Sequence, residues 1–183
     1  MFQYCPLCGK EKIQFEINRF HCPDCGLVYY HNTAAASGCI IQSGEKILLL
    51  ERGREPSLGK LDLPGGFVDP GEGILDGLHR ELLEELSWAP PIPEGVSLAE
   101  YYTLFASFPN KYPYKGFVYN TCDLIFTISV PGLSEKDFVP EKEEISGIRF
   151  LRPEEIRDED FAFDSTHKAV GAFIKFISGK NIK

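Results

Sequence analysis

Three glutamates, Glu81, Glu84 and Glu85, follow one another at spacings of three and four in the segment RELLEEL. In a helix these spacings place all three carboxylates on one face, where like charges repel by roughly 0.2–0.5 kcal/mol per pair. Glu84 and Glu85 also lie near the predicted end of that helix, where the helix dipole disfavours anions. Two interpretations fit the spacing alone: a solvated acidic face, or a site for a hard divalent cation.

The segment upstream of these glutamates favours the cation. LPGGFVDPGE supplies the paired glycines Gly65 and Gly66 and one more carboxylate, Glu72. Clustered oxygen ligands of this kind suit Mg²⁺ or Mn²⁺, which proteins bind through a few carboxylates together with substrate phosphates. The net charge of −8 fits a chain that gathers cations and disfavours one that wraps anionic nucleic acid.

Four cysteines form a second candidate metal site. Cys5 and Cys8 in CPLCG, and Cys22 and Cys25 in HCPDCG, are two Cys-x-x-Cys pairs, each followed by glycine. Four thiolates at two such turns match a closed tetrahedral zinc site. A unit of about thirty residues cannot build a sufficient core alone, so a structural Zn²⁺ supplies the missing stability. An isolated redox pair is the weaker alternative.

The remaining features of this N-terminal unit argue against nucleic acid. Its basic residues are balanced by acidic ones, and no basic stripe is present. We therefore expect no nucleic-acid partner, and a role in packing or in a homodimer. Two further cysteines, Cys39 and Cys122, lie in apolar strand patterns and are expected to be core residues.

The predicted elements alternate between strands and helices. Residues 1–32 form the zinc ribbon and residues 33–183 a larger domain. Strands are predicted at 34–42, 46–51, 99–107, 116–130 and 144–151. Helices are predicted at 73–87 and at 165–178, the second with Asp164 or Ser165 as its N-cap. This order predicts an α+β fold, with helices packed on a mixed sheet.

The composition places the chain among ordinary globular proteins. Of its 183 residues, 43% are apolar and 25% charged, a balance that supports a real core. The start, MFQYCPLCGK, lacks a basic segment followed by an apolar one, and no apolar run approaches a membrane span. The expectation is a cytoplasmic protein with reduced cysteines.

At this point a family resemblance becomes specific. Gly66, five residues, Glu72, seven residues and then RELLEE resembles the signature of the Nudix hydrolases. The resemblance implies a Nudix α/β/α sandwich with a mixed sheet. The family usually has glycine at the position of Ser87, where it ends the helix in a left-handed geometry. Together with the ribbon, the segment ERGREPSLGKLDLPGGFVDPGEG resembles the branch that includes NADH and ADP-ribose pyrophosphatases.

The resemblance also implies roles for individual residues. Mg²⁺ or Mn²⁺ is expected to bind Glu81, Glu84 and Glu85, a further glutamate that maps to Glu144, and the carbonyl of Gly65. Glu84 or Glu81 is the general base, and the sequence does not choose between them. Arg80 is expected to orient the carboxylates, and Gly66 and Glu72 to have structural roles, Glu72 by pairing with Arg80.

Substrate-binding candidates lie outside this motif. Arg52 and Arg54 are placed to meet phosphates or are solvated loop arginines. Phe108, Tyr112 and Tyr114 lie in the segment ASFPNKYPYKG, predicted as a loop, where they stack on a base or cover a neighbouring edge or a dimer partner. NADH pyrophosphatases carry a different, tryptophan-containing segment at this point.

Three functions remain open. The first is cleavage of the diphosphate of a nucleoside diphosphate joined to another group, with ADP-ribose- or NAD(H)-like compounds as the favoured small-molecule substrates. The second keeps the chemistry but acts on nucleoside triphosphates or capped RNA. The third is a catalytically silent, nucleotide-sensing protein, which the complete carboxylate set disfavours.

Overall fold

The computed structural model describes residues 2–179, and the chain divides into two compact units between Thr33 and Ala34. The first unit contains a three-stranded antiparallel sheet in the order β1-β2-β3. Its strands are β1 (Gln14–Phe15), β2 (Arg19–His21) and β3 (Val28–Tyr30).

The second unit is built on a six-stranded mixed sheet. Its strands are β4 (Ala34–Ser43), β5 (Lys46–Arg52), β6 (Leu61–Asp62), β7 (Thr103–Tyr114), β8 (Phe117–Ser129) and β9 (Ile145–Leu151). The order is β6-β5-β4-β8-β7, with β9 paired to β5. The β4–β8 pair is parallel and the other pairs are antiparallel.

Two helices cover this sheet, α1 (Ile74–Leu86) and α2 (Asp164–Ile177). One core cluster contains α1 with Cys39 and Ile41 of β4, and the other contains α2 with Ile40. Neighbouring residues of a strand point to opposite faces, so the two helices lie on opposite sides of the sheet. The predicted α+β sandwich is confirmed. Among residues 2–179, no helix combines the length and apolar character needed to cross a membrane.

Helix α1 follows the predicted apolar period. Leu78, Leu82 and Leu86 are fully buried on one face. The helix ends at Ser87, whose φ of 49° and ψ of 30° are left-handed and whose N–H bonds to the Leu83 carbonyl. The serine thus occupies the left-handed position where the family pattern has glycine.

Helix α2 begins differently from the prediction. Phe163 is its N-cap and makes no side-chain cap bond, so the assignment of Asp164 or Ser165 as N-cap was wrong. Both side chains have other partners: the Ser165 hydroxyl donates to Asp123 at 2.6 Å, and Asp164 accepts from Lys168 at 2.6 Å. Asp164 and Ser165 are thus the first two residues inside the helix rather than its cap.

Strand β7 runs seven residues past its predicted end at 107. Pro109 and Pro113 favoured a loop, but β7 is an edge strand paired only with β8. A proline is tolerated there because its missing N–H faces outward. A tight turn at Lys115 and Gly116, both with positive φ, joins β7 to β8.

The two cysteines of the larger unit differ in burial. Cys39 lies in the core, as predicted, whereas Cys122 is exposed. The prediction for Cys122 was wrong because it lies on the part of β8 that continues toward the hairpin turn, beyond the core formed by Phe126 and Ile128.

Candidate functional site

A cleft of about 240 Å³ in the second unit brings together side chains from distant parts of the sequence. One wall is α1 and the loop after β6, and another is the β7–β8 hairpin with the start of α2. The predicted site residues that line it are Arg52, Arg54, Gly65, Gly66, Glu81, Glu85, Tyr112 and Glu144. Glu84, Glu72, Phe108 and Tyr114 are not among its lining residues.

The glycine loop allows α1 to approach β4 closely. A Cβ on Gly66 would lie 2.6 Å from the carboxyl carbon of Glu81, so a side chain there would displace this carboxylate, and a Cβ on Gly65 would collide with the backbone of β4 at Ser37 and Gly38. The N–H of Gly65 donates to Glu85 Oε2 at 2.8 Å. Glu81 and Glu85 are one helical turn apart, so the loop fixes both carboxylates at the cleft wall.

Arg80 holds the carboxylates that surround it. Its Nε lies 2.8 Å from Glu72 Oε1, so the predicted Arg80–Glu72 ion pair forms. Its Nη1 lies 2.9 Å from both Glu81 Oε1 and Glu84 Oε2. The hydrogen bond from Arg80 lowers the pKa of Glu72. Arg80 therefore orients Glu81 from behind, while Glu84, with 60% of its side chain exposed, is held outside the cleft.

Acidic side chains crowd together inside the cleft. Burial raises the pKa of Glu85 well above its usual range, and the neighbouring carboxylates Glu81, Asp62 and Glu144 add to the increase. Burial also raises the pKa of Glu81, against the opposing effect of Arg80. Several carboxylates that destabilise one another's charge form the environment that a divalent cation relieves.

The carboxylates of the cleft do not lie close enough together for three of them to share one cation. Within residues 2–179, the four ribbon cysteines are the only group of three or more candidate ligands whose atoms all lie within 4.8 Å of one another. Glu144 is held by Arg54, with Nη1 at 2.6 Å from Oε1. A cation that used Glu144 together with Glu81 or Glu85 would have to compete with this ion pair.

Two further acids at the cleft were not singled out from the sequence. Asp62 accepts from Arg52 at 3.0 Å and from Thr166 at 2.9 Å, and burial raises its pKa. Asp123 accepts from Ser165 and Thr121. Each is a lone acid in an apolar strand stretch, LDLP and CDLIF, and that contrast is the signal that could have found them.

The aromatic candidates separate into three positions. Tyr112 lines the cleft. Tyr114 lines an adjoining cavity that Tyr112 also reaches. Phe108 packs against the core cluster on the α2 side and is not a lining residue of either cavity. All three lie in strand β7 and not in a loop, so their positions are fixed by the sheet.

The chain matches the family model described as NUDIX domain over residues 31–170. It belongs to the Nudix family. Members of this family generally use divalent metal ions and act on small nucleotide substrates.

Two curated Nudix relatives match part of the chain. An NAD-capped RNA hydrolase NudC of Chromobacterium violaceum is 39% identical over a match covering 43% of this chain and 34% of the relative. An ADP-ribose pyrophosphatase of Methanocaldococcus jannaschii is 40% identical, with 36% of this chain and 38% of the relative covered. The matches thus span little more than a third of each relative's length.

Solved structures share the Nudix fold. A NUDIX hydrolase from Nitrosomonas europaea superimposes with a TM-score of 0.70 at 24% identity, covering 97% of this chain and 93% of that one. The NUDIX domain of Shewanella oneidensis NrtR, solved with ADP ribose, gives 0.58 at 18% identity, covering 81% and 88%.

The unit that precedes the Nudix domain gathers its four cysteines. The Sγ atoms of Cys5 and Cys25 are 3.7 Å apart, as are those of Cys8 and Cys22. In a tetrahedral zinc site with Zn–S bonds of about 2.3 Å, sulfur atoms are about 3.8 Å apart. Gly9 and Gly26, which follow the two pairs, have φ values of 71° and 75°. The donor set and its spacing fit Zn²⁺.

Proposed function

We propose that this protein hydrolyses the diphosphate of a nucleoside diphosphate joined to another group, with ADP-ribose- or NAD(H)-like compounds as substrates. The observation that carries the proposal is the placement of Glu81 and Glu85, half-buried on one helical face against the Gly65–Gly66 loop and facing the same cleft as Glu144. Carboxylates held this way suit a bound divalent ion and a diphosphate.

The carboxylates of Glu81, Glu85 and Glu144, with the carbonyl of Gly65, would hold Mg²⁺ or Mn²⁺. Bound there, a divalent ion neutralises diphosphate charge and lowers the pKa of a water. Glu84 is the fourth predicted ligand. Its exposed position outside the cleft favours a role at the rim and leaves Glu81 as the better placed general base.

Arginines supply the positive charge that the substrate needs. Arg80 acts as a positioning residue for Glu81 and Glu84, because its guanidinium bonds to both. Arg54 lies in the cleft and reaches a diphosphate once it leaves Glu144. Arg52 is less free, since Asp62 and the carbonyl of Pro56 hold its guanidinium. We assign Arg54 to the phosphates and Arg52 to the cleft wall.

The domain assignment follows the same division of roles. We propose residues 1–32 as a ribbon stabilised by one structural Zn²⁺ and residues 33–183 as the catalytic domain. The ribbon would contribute stability or a homodimer contact, with no expected nucleic-acid partner, because its charges balance.

The relatives support the substrate class by what their names have in common. ADP-ribose and NAD are both adenosine diphosphates joined to a second group, and one relative is named for each. ADP ribose, the ligand in the solved Nudix domain of Shewanella oneidensis NrtR, belongs to the same class of compounds. The name NAD-capped RNA hydrolase also favours the alternative of capped RNA. The same carboxylates would cleave the diphosphate of such a cap.

A substrate panel tests the proposal. ADP-ribose, NADH, NAD, nucleoside triphosphates and NAD-capped RNA are incubated with Mg²⁺ or Mn²⁺, and products are separated by chromatography. We expect AMP from ADP-ribose or NADH. Release of pyrophosphate from triphosphates, or cap removal without turnover of the dinucleotides, would favour the second function. If no compound is turned over, the catalytically silent, nucleotide-sensing function is favoured.

Variants then show whether the activity belongs to this protein or to a contaminating enzyme. Glu85→Gln keeps the size of the side chain but removes a proposed ligand, so turnover should fall by orders of magnitude. Glu94→Gln removes the same charge from an exposed position outside the cleft and should leave turnover unchanged. Equal activity of both variants would remove Glu85 from the site.

A further inference from the structure

The β7–β8 hairpin presents one continuous face from the cleft toward its turn. In the antiparallel register Asn110 lies opposite Thr121, and Tyr112 lies opposite Tyr119. Opposite residues share a face, and so do residues two apart along each strand. Asn110, Thr121 and Tyr112 all line the cleft, so this is the face that meets the carboxylates.

The chemistry of this face changes along its length. Next to the carboxylates it is polar, with Asn110, Thr121 and Asp123. One step further from the core, about 7 Å along the strands, it becomes aromatic with Tyr112 and Tyr119. A nucleoside has the same sequence of groups over a similar length, a polar sugar followed by a flat aromatic base.

A second cavity covers the aromatic part of the face. It measures about 410 Å³ and is lined by Ala34, Arg54, Phe67, Tyr112, Tyr114 and Tyr119. Arg54, Phe67 and Tyr112 line the carboxylate cleft as well, so the two cavities adjoin. Arg54 stands at the junction with its guanidinium on the Glu144 carboxylate.

The rings in this cavity support one another without closing it. Phe67 meets Tyr112 edge to face at a centroid distance of 5.5 Å and Tyr119 at 6.2 Å. Tyr112 and Tyr114 are nearly parallel at 6.4 Å. Tyr119 and Tyr114 remain 40% and 46% exposed, so part of their ring surface is free to take a planar group.

We propose that the hairpin face is the nucleoside-binding platform of the protein. Asn110, Thr121 and Asp123 take the ribose, and Tyr112 and Tyr119, with Phe67 behind them, stack on the base. The inference deepens the proposed function, on which it rests for the position of the diphosphate at the carboxylates. Every base has a π-face, so the platform selects for an aromatic ring rather than for one base.

Binding of AMP and of ribose 5-phosphate tests the platform. The two compounds share the sugar and the phosphate and differ in the base, and neither contains a diphosphate to be cleaved. Titrations with Mg²⁺ are followed by the NMR signals of the ligand. We expect AMP to bind roughly tenfold more tightly than ribose 5-phosphate, since stacking on an aromatic side chain contributes that order of affinity.

Matched variants locate the effect. Tyr112→Leu and Tyr119→Leu each remove a ring. Each should weaken the binding of AMP by several fold and leave the binding of ribose 5-phosphate unchanged. Tyr119→Phe keeps the ring and should keep the preference for AMP. Val118→Ala changes the neighbouring residue on the opposite face of β8, and should also keep it. Thermal unfolding checks that each variant folds.

Three results would overturn the platform. They are equal binding of AMP and ribose 5-phosphate by the unaltered protein, unchanged AMP binding by both leucine variants, and loss of a dimer by those variants with AMP binding intact. The last would make the aromatic face a contact between copies. AMP binding needs no turnover, so a protein that binds AMP here but cleaves no dinucleotide loses the proposed function and keeps the platform.

Discussion

Arg54 Nη1 lies 2.6 Å from Glu144 Oε1, so a proposed metal ligand is bound by a neighbouring cation. Their side chains are 53% and 36% exposed, and exposed ion pairs of this kind contribute only about 0.2–1 kcal/mol. A divalent ion that uses Glu144 displaces Arg54 at small cost. Arg54 lines both cavities, so a guanidinium released from Glu144 would be close to the predicted position of the diphosphate.

Replacing Arg54 should therefore tighten metal binding. In Arg54→Gln the glutamate is free and the cleft is more negative, so we expect Mn²⁺ affinity to rise about two- to fivefold in the absence of nucleotide. Isothermal titration calorimetry measures this. Arg157→Gln removes the same charge from an exposed site outside the cleft and should change little. Weaker Mn²⁺ binding by Arg54→Gln would remove Glu144 from the ligand set.

Gly66 sets the position of Glu81. A Cβ there would come within 2.6 Å of the Glu81 carboxyl carbon, so Gly66→Ala must push this carboxylate away from its place in the cleft. Misplacing a catalytic group by about 1 Å costs on the order of a hundredfold, and we expect a loss of that size in kcat/KM for ADP-ribose.

The control for this variant is Gly171→Ala. Gly171 lies in α2, and a Cβ there meets nothing within 4 Å. Alanine favours a helix over glycine by roughly 0.5–1 kcal/mol, so this variant should be at least as stable as the parent and equally active. Full activity of Gly66→Ala would show that Glu81 does not depend on the close approach of the loop.

The sequence predicted best where one local pattern determines the structure. The period of Leu78, Leu82 and Leu86 located α1 and its buried face, and the pattern ending at Ser87 located the left-handed residue that ends it. In these segments the information lies within a few turns of one helix. No distant partner was needed to position them.

Prediction failed where a contact with a residue distant in the sequence determines the structure. Pro109 and Pro113 are tolerated in β7 because it is an edge strand, and the order of strands is not local information. Asp62 and Asp123 join the cleft through Thr166 and Ser165, about 104 and 42 residues away. Arg54 and Glu144 meet across a gap of 90 positions that no spacing rule predicts.

The ribbon should lose its metal and its structure together. A unit of about thirty residues has too small a core to fold alone, so the four thiolates and one Zn²⁺ would hold it. In Cys25→Ser we expect the zinc content, measured by inductively coupled plasma mass spectrometry, to fall from about one per chain to near zero. Limited proteolysis should then cut within residues 1–33, which the bound metal protects in the parent.

Cys122→Ser is the matched control, since it also removes one exposed thiol but lies outside the ribbon. Its zinc content should equal that of the parent. A parent protein that contains no zinc, yet resists proteolysis in the ribbon, would contradict the proposed metal site.

Ser87 places a residue with a Cβ where the backbone is left-handed. Its φ of 49° costs a non-glycine residue about 1–2 kcal/mol, of which the greater freedom of glycine in the unfolded chain offsets part. We expect Ser87→Gly to raise the free energy of unfolding by about 0.5–1 kcal/mol. The single tryptophan, Trp88, is the adjacent residue and packs on Phe138 at 5.2 Å, so its fluorescence reports the unfolding of this unit in denaturant.

Ser87→Ala separates the backbone from the side chain. Alanine keeps the Cβ and the strain, so it should give no gain, because the cost lies in the left-handed conformation and not in the hydroxyl. If alanine stabilised as much as glycine, the hydroxyl would be the unfavourable group. If glycine destabilised, the helix end would depend on the stiffness of a residue with a side chain, and the position of Glu85, two residues before, would be expected to depend on it as well.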